Sequence, residues 1–222
     1  MRETRAVLWD MDGTLIDSEE FHWLAWHETM SVEGFEITRK QFLASFGQRN
    51  DSFLPLWLGQ SANRRRIIRI ADAKEKRYRA YVRTDGVSFL PGVSEWIHRL
   101  HRQGWLQAVA SSAPRANIEA ILESLGAKNL FHAVVSAEDV SRGKPDPEVF
   151  LVAASRVGIP PHRCIVVEDA VAGIEAARSA GMRSIGVSRD GKYLAADVVA
   201  RSLELLSPQT FDTLLSTGVK KK

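Results

Sequence analysis

The sequence predicts an α/β protein: a doubly wound parallel sheet into which an all-helical unit is inserted. Three observations predict it. From residue 89 onward, short apolar runs alternate with amphipathic stretches. One further apolar run, Ala6 to Trp9, stands alone near the N-terminus. Between the two, residues 17–88 carry helical spacing and many aromatics but no convincing two-residue alternation. Strands that read as unbroken apolar runs are buried on both faces, as in parallel sheets covered by helices.

The first strand, Ala6 to Trp9, runs straight into Asp10-Met11-Asp12-Gly13-Thr14-Leu15-Ile16-Asp17. A strand period of two puts Asp10 and Asp12 on one side if the extended geometry persists. Two carboxylates that close repel, so one needs a cation or a raised pKa. A magnesium ion and a phosphate ester would give both acids work, one as nucleophile and one as proton donor. Gly13 allows a turn at positive φ or a close backbone approach.

In the insertion, Phe21, Leu24, Ala25 and Glu28 follow helical spacing, as do Ile67, Ile70, Ala71 and Lys74. Gly34, Gly47 and Gly59 divide it into several helices, and Trp23, Trp26 and Trp57 read as its small core. The expected division is 1–16 with 89–222 as the core and 17–88 as the helical cap.

Helix 93–102 then precedes strand 106–111, helix 114–125 precedes strand 133–136, and helix 147–157 precedes strand 164–168. Helix 170–180 precedes strand 184–187, and a last short strand, 198–200, precedes helix 208–215. Right-handed crossovers place helices on both faces. Ligands of such sheets bind outside the carboxyl ends of the strands, near the point where strand order reverses. Polar residues collect at those ends. Ser111-Ser112-Ala113-Pro114 closes one strand, with Pro114 suited to a first helical position and the exposed amides suited to an anion. Gly143-Lys144-Pro145-Asp146-Pro147 puts an ammonium just before another helix, with Asp146 as its cap. Glu168-Asp169 ends the strand that begins at Cys164, and adjacent carboxylates at a buried sheet end are costly without a cation. Cys164 itself reads as core.

The string Asp10-Met11-Asp12-Gly13-Thr14 resembles the first signature of the haloacid dehalogenase-like superfamily, and the three later segments resemble its other motifs in order. The resemblance covers nearly the whole chain and is closest to the branch of beta-phosphoglucomutase and small sugar-phosphate phosphatases. It implies a Rossmann-like core, a nucleophile at Asp10, a general acid and base at Asp12, and phosphate binding by Ser111, Ser112 and Lys144. Magnesium is implied to be held by Asp10, the backbone carbonyl of Asp12 and Asp169, with Glu168 a ligand either directly or through water. In the cap, His22 resembles a histidine that contacts the general acid, and Arg49 an arginine that holds a substrate's second phosphate.

Dehalogenases of the superfamily lack the second aspartate and the magnesium acids, so Asp12, Glu168 and Asp169 argue against that chemistry. A phosphatase acting on sugar or polyol phosphates is the favoured reading, and a sugar phosphomutase the alternative. The mutase uses a Ser-Lys-Asn run after the second motif, where this chain has Ala113-Pro114-Arg115. Arg115 would have to supply that distal phosphate contact.

Composition narrows the partners. A net charge of +3 over 222 residues is small, and neither Arg64-Arg65-Arg66 nor the Lys220-Lys221-Lys222 tail is interleaved with aromatics, which argues against nucleic acid. One cysteine excludes an intrachain disulfide and fits a reducing compartment. With no apolar stretch long enough for a membrane and no signal-peptide core, the expectation is a cytoplasmic monomer acting on a small phosphorylated metabolite.

Overall fold

The computed structural model describes residues 4–46 and 50–216. It divides into two compact units, Met1–Asp17 with Ser88–Lys222, and Ser18–Val87.

The larger unit is built on β1 (Ala6–Trp9), β2 (Leu106–Ala110), β3 (Ala133–Val135), β4 (Cys164–Glu168), β5 (Arg183–Val187) and β6 (Val198–Ala200). All pairings are parallel, in the order β3-β2-β1-β4-β5-β6. The chain leaves β1 to one side for β2 and β3 and to the other for β4 to β6, so the order reverses at β1 and β4. Those two strands are wholly buried, which is why their sequences are apolar without alternation. Gln107, the second residue of β2, is a buried polar residue in an otherwise apolar strand. Its Oε1 accepts from Trp9 Nε1 at 3.1 Å and its Nε2 donates to the Ile97 carbonyl at 3.0 Å, so burial leaves its amide satisfied.

Among the described residues five helices belong to this unit: α5 (Val93–Arg102), α6 (Arg115–Ser124), α7 (Glu148–Arg156), α8 (Val171–Ser179) and α9 (Thr210–Ser216), numbered after the four of the smaller unit. Helix α7 starts one residue later than expected, with Pro147 in the flanking position. Asp146 Oδ1 accepts the Glu148 N–H at 3.0 Å, so the aspartate caps from one residue further out. Likewise Pro114 flanks α6 rather than opening it.

The smaller unit consists of α1 (Glu19–Val32), α2 (Arg39–Ser45), α3 (Asn50–Leu58) and α4 (Arg64–Asp85). Thr38 and Gln41 form a reciprocal capping box at the start of α2, and Asn63 caps α4 by accepting from Arg66 N–H at 2.9 Å. Trp26 meets Trp57 edge-on at 5.4 Å and Phe53 at 5.3 Å, the geometry favoured by ring quadrupoles. Together with Met30, Phe42, Leu54 and Ile70 these rings form a core separate from that of the sheet.

Cys164 is buried in β4, and burial pushes its thiol up to about 12. Only ~10⁻⁴ of it is then thiolate at pH 8, and the thiolate is the reactive form. Native protein should therefore stay unlabelled by N-ethylmaleimide over hours, and denatured protein should label fully. Intact-mass spectrometry checks both.

Candidate active site

The site is assembled from the carboxyl ends of β1, β2 and β4. One residue past β1, the Asp10 N–H donates to the Val167 carbonyl at 3.0 Å, which carries the pairing with β4 one step beyond the strand. The chain then turns: the N–H groups of Leu15 and Ile16 return to the Met11 carbonyl at 2.9 and 3.1 Å. Gly13 sits in that turn at φ +87°, and a Cβ there would lie 2.1 Å from Asp169 Oδ2. Glycine is demanded twice at this position, by the backbone and by the acid opposite.

Glu168 ends β4 and is almost wholly buried. Lys144 Nζ lies 2.6 Å from Glu168 Oε1 and 2.5 Å from Asp10 Oδ1, bridging the two strand ends, with the Phe150 ring 5.0 Å away. The loop carrying Lys144 is fixed by Glu148. Its carboxylate, in the first turn of α7, accepts from the N–H groups of Ser141 and Arg142 at 3.1 and 2.9 Å. Those two bonds hold the Glu148 carboxyl below the usual range. Sequence reasoning passed over Glu148, although an acid in a first helical turn is a readable signal.

One ammonium faces three carboxylates here. Burial pushes Asp10 well above the ordinary carboxylate range against the pull of Lys144, with Glu168 and Asp169 adding to the shift. Burial and then Glu168 raise Asp169 to about 7, with Asp12 contributing in the same sense. Burial works against the charge of Lys144, yet Asp10 and Glu168 outweigh it and raise its pKa above that of an ordinary lysine. With Asp10, Glu168 and Asp169 ionised, the triplet carries two negative charges more than Lys144 compensates.

Asp10, Glu168 and Asp169 each offer one carboxylate oxygen, all within 4.8 Å of one another. Hard oxygen donors carrying an excess of two negative charges are what a magnesium ion fits. Asp12 adds no carboxylate to this triplet: the metal contact that the resemblance implies for it falls on its backbone carbonyl, and the general acid and base role on its side chain.

Ser111 follows β2 directly, beside β1 in the sheet register. It is buried, and its Oγ accepts from the Ala113 N–H at 3.0 Å, which leaves the hydroxyl hydrogen to be directed at an acceptor elsewhere. Ser112 is exposed on the same turn. Arg115, the residue expected to supply a distal phosphate contact, is engaged within the core unit. Its guanidinium pairs with Asp139 and reaches the Val134 carbonyl at 3.3 Å, and its N–H donates to Glu138 at 2.9 Å. Asp139 is held below the usual carboxylate range by Arg156, the Ser136 N–H and hydroxyl, and Arg115.

In the helical unit, His22 stacks on Tyr78 at 4.1 Å, and its Nδ1 lies 2.8 Å from the buried Lys74 Nζ. An ammonium only donates, so Nδ1 accepts and a neutral ring carries its hydrogen on Nε2. Lys74 also donates to Glu75 Oε1 at 3.0 Å, which accepts from Asn50 Nδ2 at 3.1 Å. Arg49 lies outside the described residues.

The chain is similar to known proteins. Hexitol phosphatase B of Escherichia coli strain K12 is 32% identical over 216 residues, covering 93% of this chain and 96% of its own. Beta-phosphoglucomutase of Bacillus subtilis is 31% identical over 213 residues, covering 91% and 93%. The crystal structure of CbbY from Rhodobacter sphaeroides in complex with phosphate superposes with a TM-score of 0.83 at 27% identity, covering 95% of this chain and all of that one. A family model described as haloacid dehalogenase-like hydrolase matches residues 7–187, a span that takes in Asp10, Ser111, Lys144 and the Glu168-Asp169 pair. With its acids at the reversal of strand order and its sequence matched across that span, the chain belongs to the haloacid dehalogenase-like hydrolases.

Proposed function

We propose that the protein is a magnesium-dependent phosphatase of small phosphate monoesters, sugar or polyol phosphates, acting through an aspartyl-phosphate on Asp10. The observation that carries this reading is the Lys144 bridge between Asp10 and Glu168 with Asp169 beside it. It presents a carboxylate oxygen in a setting already arranged for a divalent cation and a dianionic ester.

Asp10 attacks phosphorus in line, forming the acyl phosphate as the ester P–O bond breaks. Asp12 gives its proton to the departing alkoxide, then takes one from the water that attacks the acyl phosphate. Inorganic phosphate leaves and Asp10 returns as carboxylate. Lys144 and the Ser111 and Ser112 turn hold the phosphoryl oxygens, where fixed donors act most strongly on developing charge. Asp10, the Asp12 carbonyl, Glu168 and Asp169 would hold a magnesium ion, which when bound would supply charge neutralisation for the phosphoryl group. Leaving-group selection is assigned to the helical unit, through His22 and Arg49. The reading includes a cytoplasmic monomer, and the single, buried cysteine fits a reducing compartment. Among the described residues no helix is long and apolar enough to cross a membrane.

Beta-phosphoglucomutase among the relatives keeps a mutase as the second reading. The engagement of Arg115 with Asp139 favours hydrolysis, because a mutase needs a second phosphate site of comparable quality. Hexitol and hexose monophosphates, assayed for phosphate release with magnesium and with EDTA, test the reading. Release that needs magnesium and no added bisphosphate is expected. Stoichiometric isomerisation of beta-glucose 1-phosphate to glucose 6-phosphate, primed by a trace of 1,6-bisphosphate and without free phosphate, would overturn it.

A further inference from the structure

We propose that Gly173 is a positioning residue for Glu168, and that its missing side chain sets the affinity of the acidic site for magnesium. The inference rests on the metal reading above and adds a residue that touches neither metal nor substrate.

Glu168 folds back over the first turn of α8. Its Oε2 accepts the Ala170 N–H at 2.6 Å while Oε1 meets Lys144 at 2.6 Å. In this pose the carboxylate occupies the volume where residue 173 would carry a side chain. A Cβ there would stand 1.8 Å from Oε1, 2.0 Å from Cδ and 2.6 Å from Cγ, and these are its three nearest atoms. No real Cβ sits that close to another atom, so any other residue at 173 expels the carboxylate. Glu168 is 1% exposed, so an expelled carboxylate has no solvent at hand to move into. It would have to give up its contacts with Ala170 and Lys144 and leave the triplet with Asp10 and Asp169.

Glycine inside a helix is worse than alanine in both conformational entropy and propensity. Its place at the third position of α8 therefore needs a reason, and the Glu168 carboxylate supplies one. Residues that orient metal ligands without touching the metal typically change affinity or activity by about 10–100-fold when altered.

The test follows the melting temperature of substrate-free protein against magnesium chloride for wild type, Gly173→Ala, Glu168→Ala and the double variant. Gly173→Ala should melt lower without metal, need about 10–100-fold more magnesium to reach half of its stabilisation, and lose kcat. In the Glu168→Ala background the same change should be neutral or stabilising, because the clash is gone and alanine is the better helix former. That reversal of sign separates positioning from packing. A folded Gly173→Ala protein with the wild-type magnesium midpoint would overturn the proposal. So would an equal loss of melting temperature in both backgrounds. If Gly173→Ala does not fold alone, the comparison of Glu168→Ala with the double variant decides. A wild type that magnesium does not stabilise removes the metal reading and the proposed affinity role with it, while the metal-free melts still show whether Gly173 makes room for Glu168.

Discussion

Asp10→Asn is expected to lower phosphate release by at least about four orders of magnitude while the protein remains folded. The substitution keeps the shape of the side chain, so the bond from the Asp10 N–H to the Val167 carbonyl and the turn through Gly13 are undisturbed. What changes is charge. An amide is a poor nucleophile toward phosphorus and a weaker partner for both Lys144 and a divalent cation. Metal-free stability should hold or rise, because burial already drives the Asp10 carboxyl toward its neutral form. A loss of activity without a loss of melting temperature would mark a chemical role. Mass spectrometry of acid-quenched wild type should find one phosphoryl group on the peptide containing Asp10, absent from the variant. Activity within tenfold of wild type in a pure Asp10→Asn preparation would exclude Asp10 as nucleophile.

The core of this site was legible because each part is a short local string at the end of an apolar run. Asp10 and Asp12, Ser111, and Glu168 with Asp169 stand where a buried strand gives way to a turn, and Lys144 stands in the loop before α7. Parallel topology alone brings such ends together at one edge. What the sequence hid depends on partners distant in the chain. Arg115 looked available for a phosphate, yet Asp139 and the Val134 carbonyl claim it once β3 is seated beside β2. Gln107 would seem misplaced in a buried strand until Trp9 and Ile97, from β1 and α5, satisfy it. Lys74 shares the helical spacing of Ile67, Ile70 and Ala71, yet only the folding of α1 against α4 buries it beside His22. At Gly173 the atoms that exclude a side chain belong to Glu168, the acid five residues earlier. Helix starts moved by a residue at Pro114 and Pro147, since a proline beside a capping group suits either the flanking or the first position.

Lys144→Met should remove both the catalytic cation and the compensation that lets three acids share a buried site. Methionine keeps most of the aliphatic stem and loses only the ammonium that stands over the Phe150 ring, so packing changes little. Losing a fixed donor to the phosphoryl oxygens should cost kcat about 10²–10³-fold. Removing one partner of a buried ion pair costs about 3 kcal/mol, which lowers the melting temperature by roughly 6–12 °C for a chain of this size. The pH dependence gives the sign. Asp10 and Asp169 have folded-state pKa values above their unfolded ones, chiefly through burial, and loss of Lys144 raises both further. Groups raised in this way bind more protons folded than unfolded, so stability is greatest below the unfolded pKa and falls as pH rises toward the folded one. In EDTA, the gap in melting temperature between wild type and Lys144→Met should therefore be small near pH 5 and widen through pH 7 to 8. Magnesium should narrow it again by restoring positive charge to the triplet. A gap that stays constant across this range, or one that magnesium leaves untouched, would mean that Lys144 acts through packing and not through the acids it bridges.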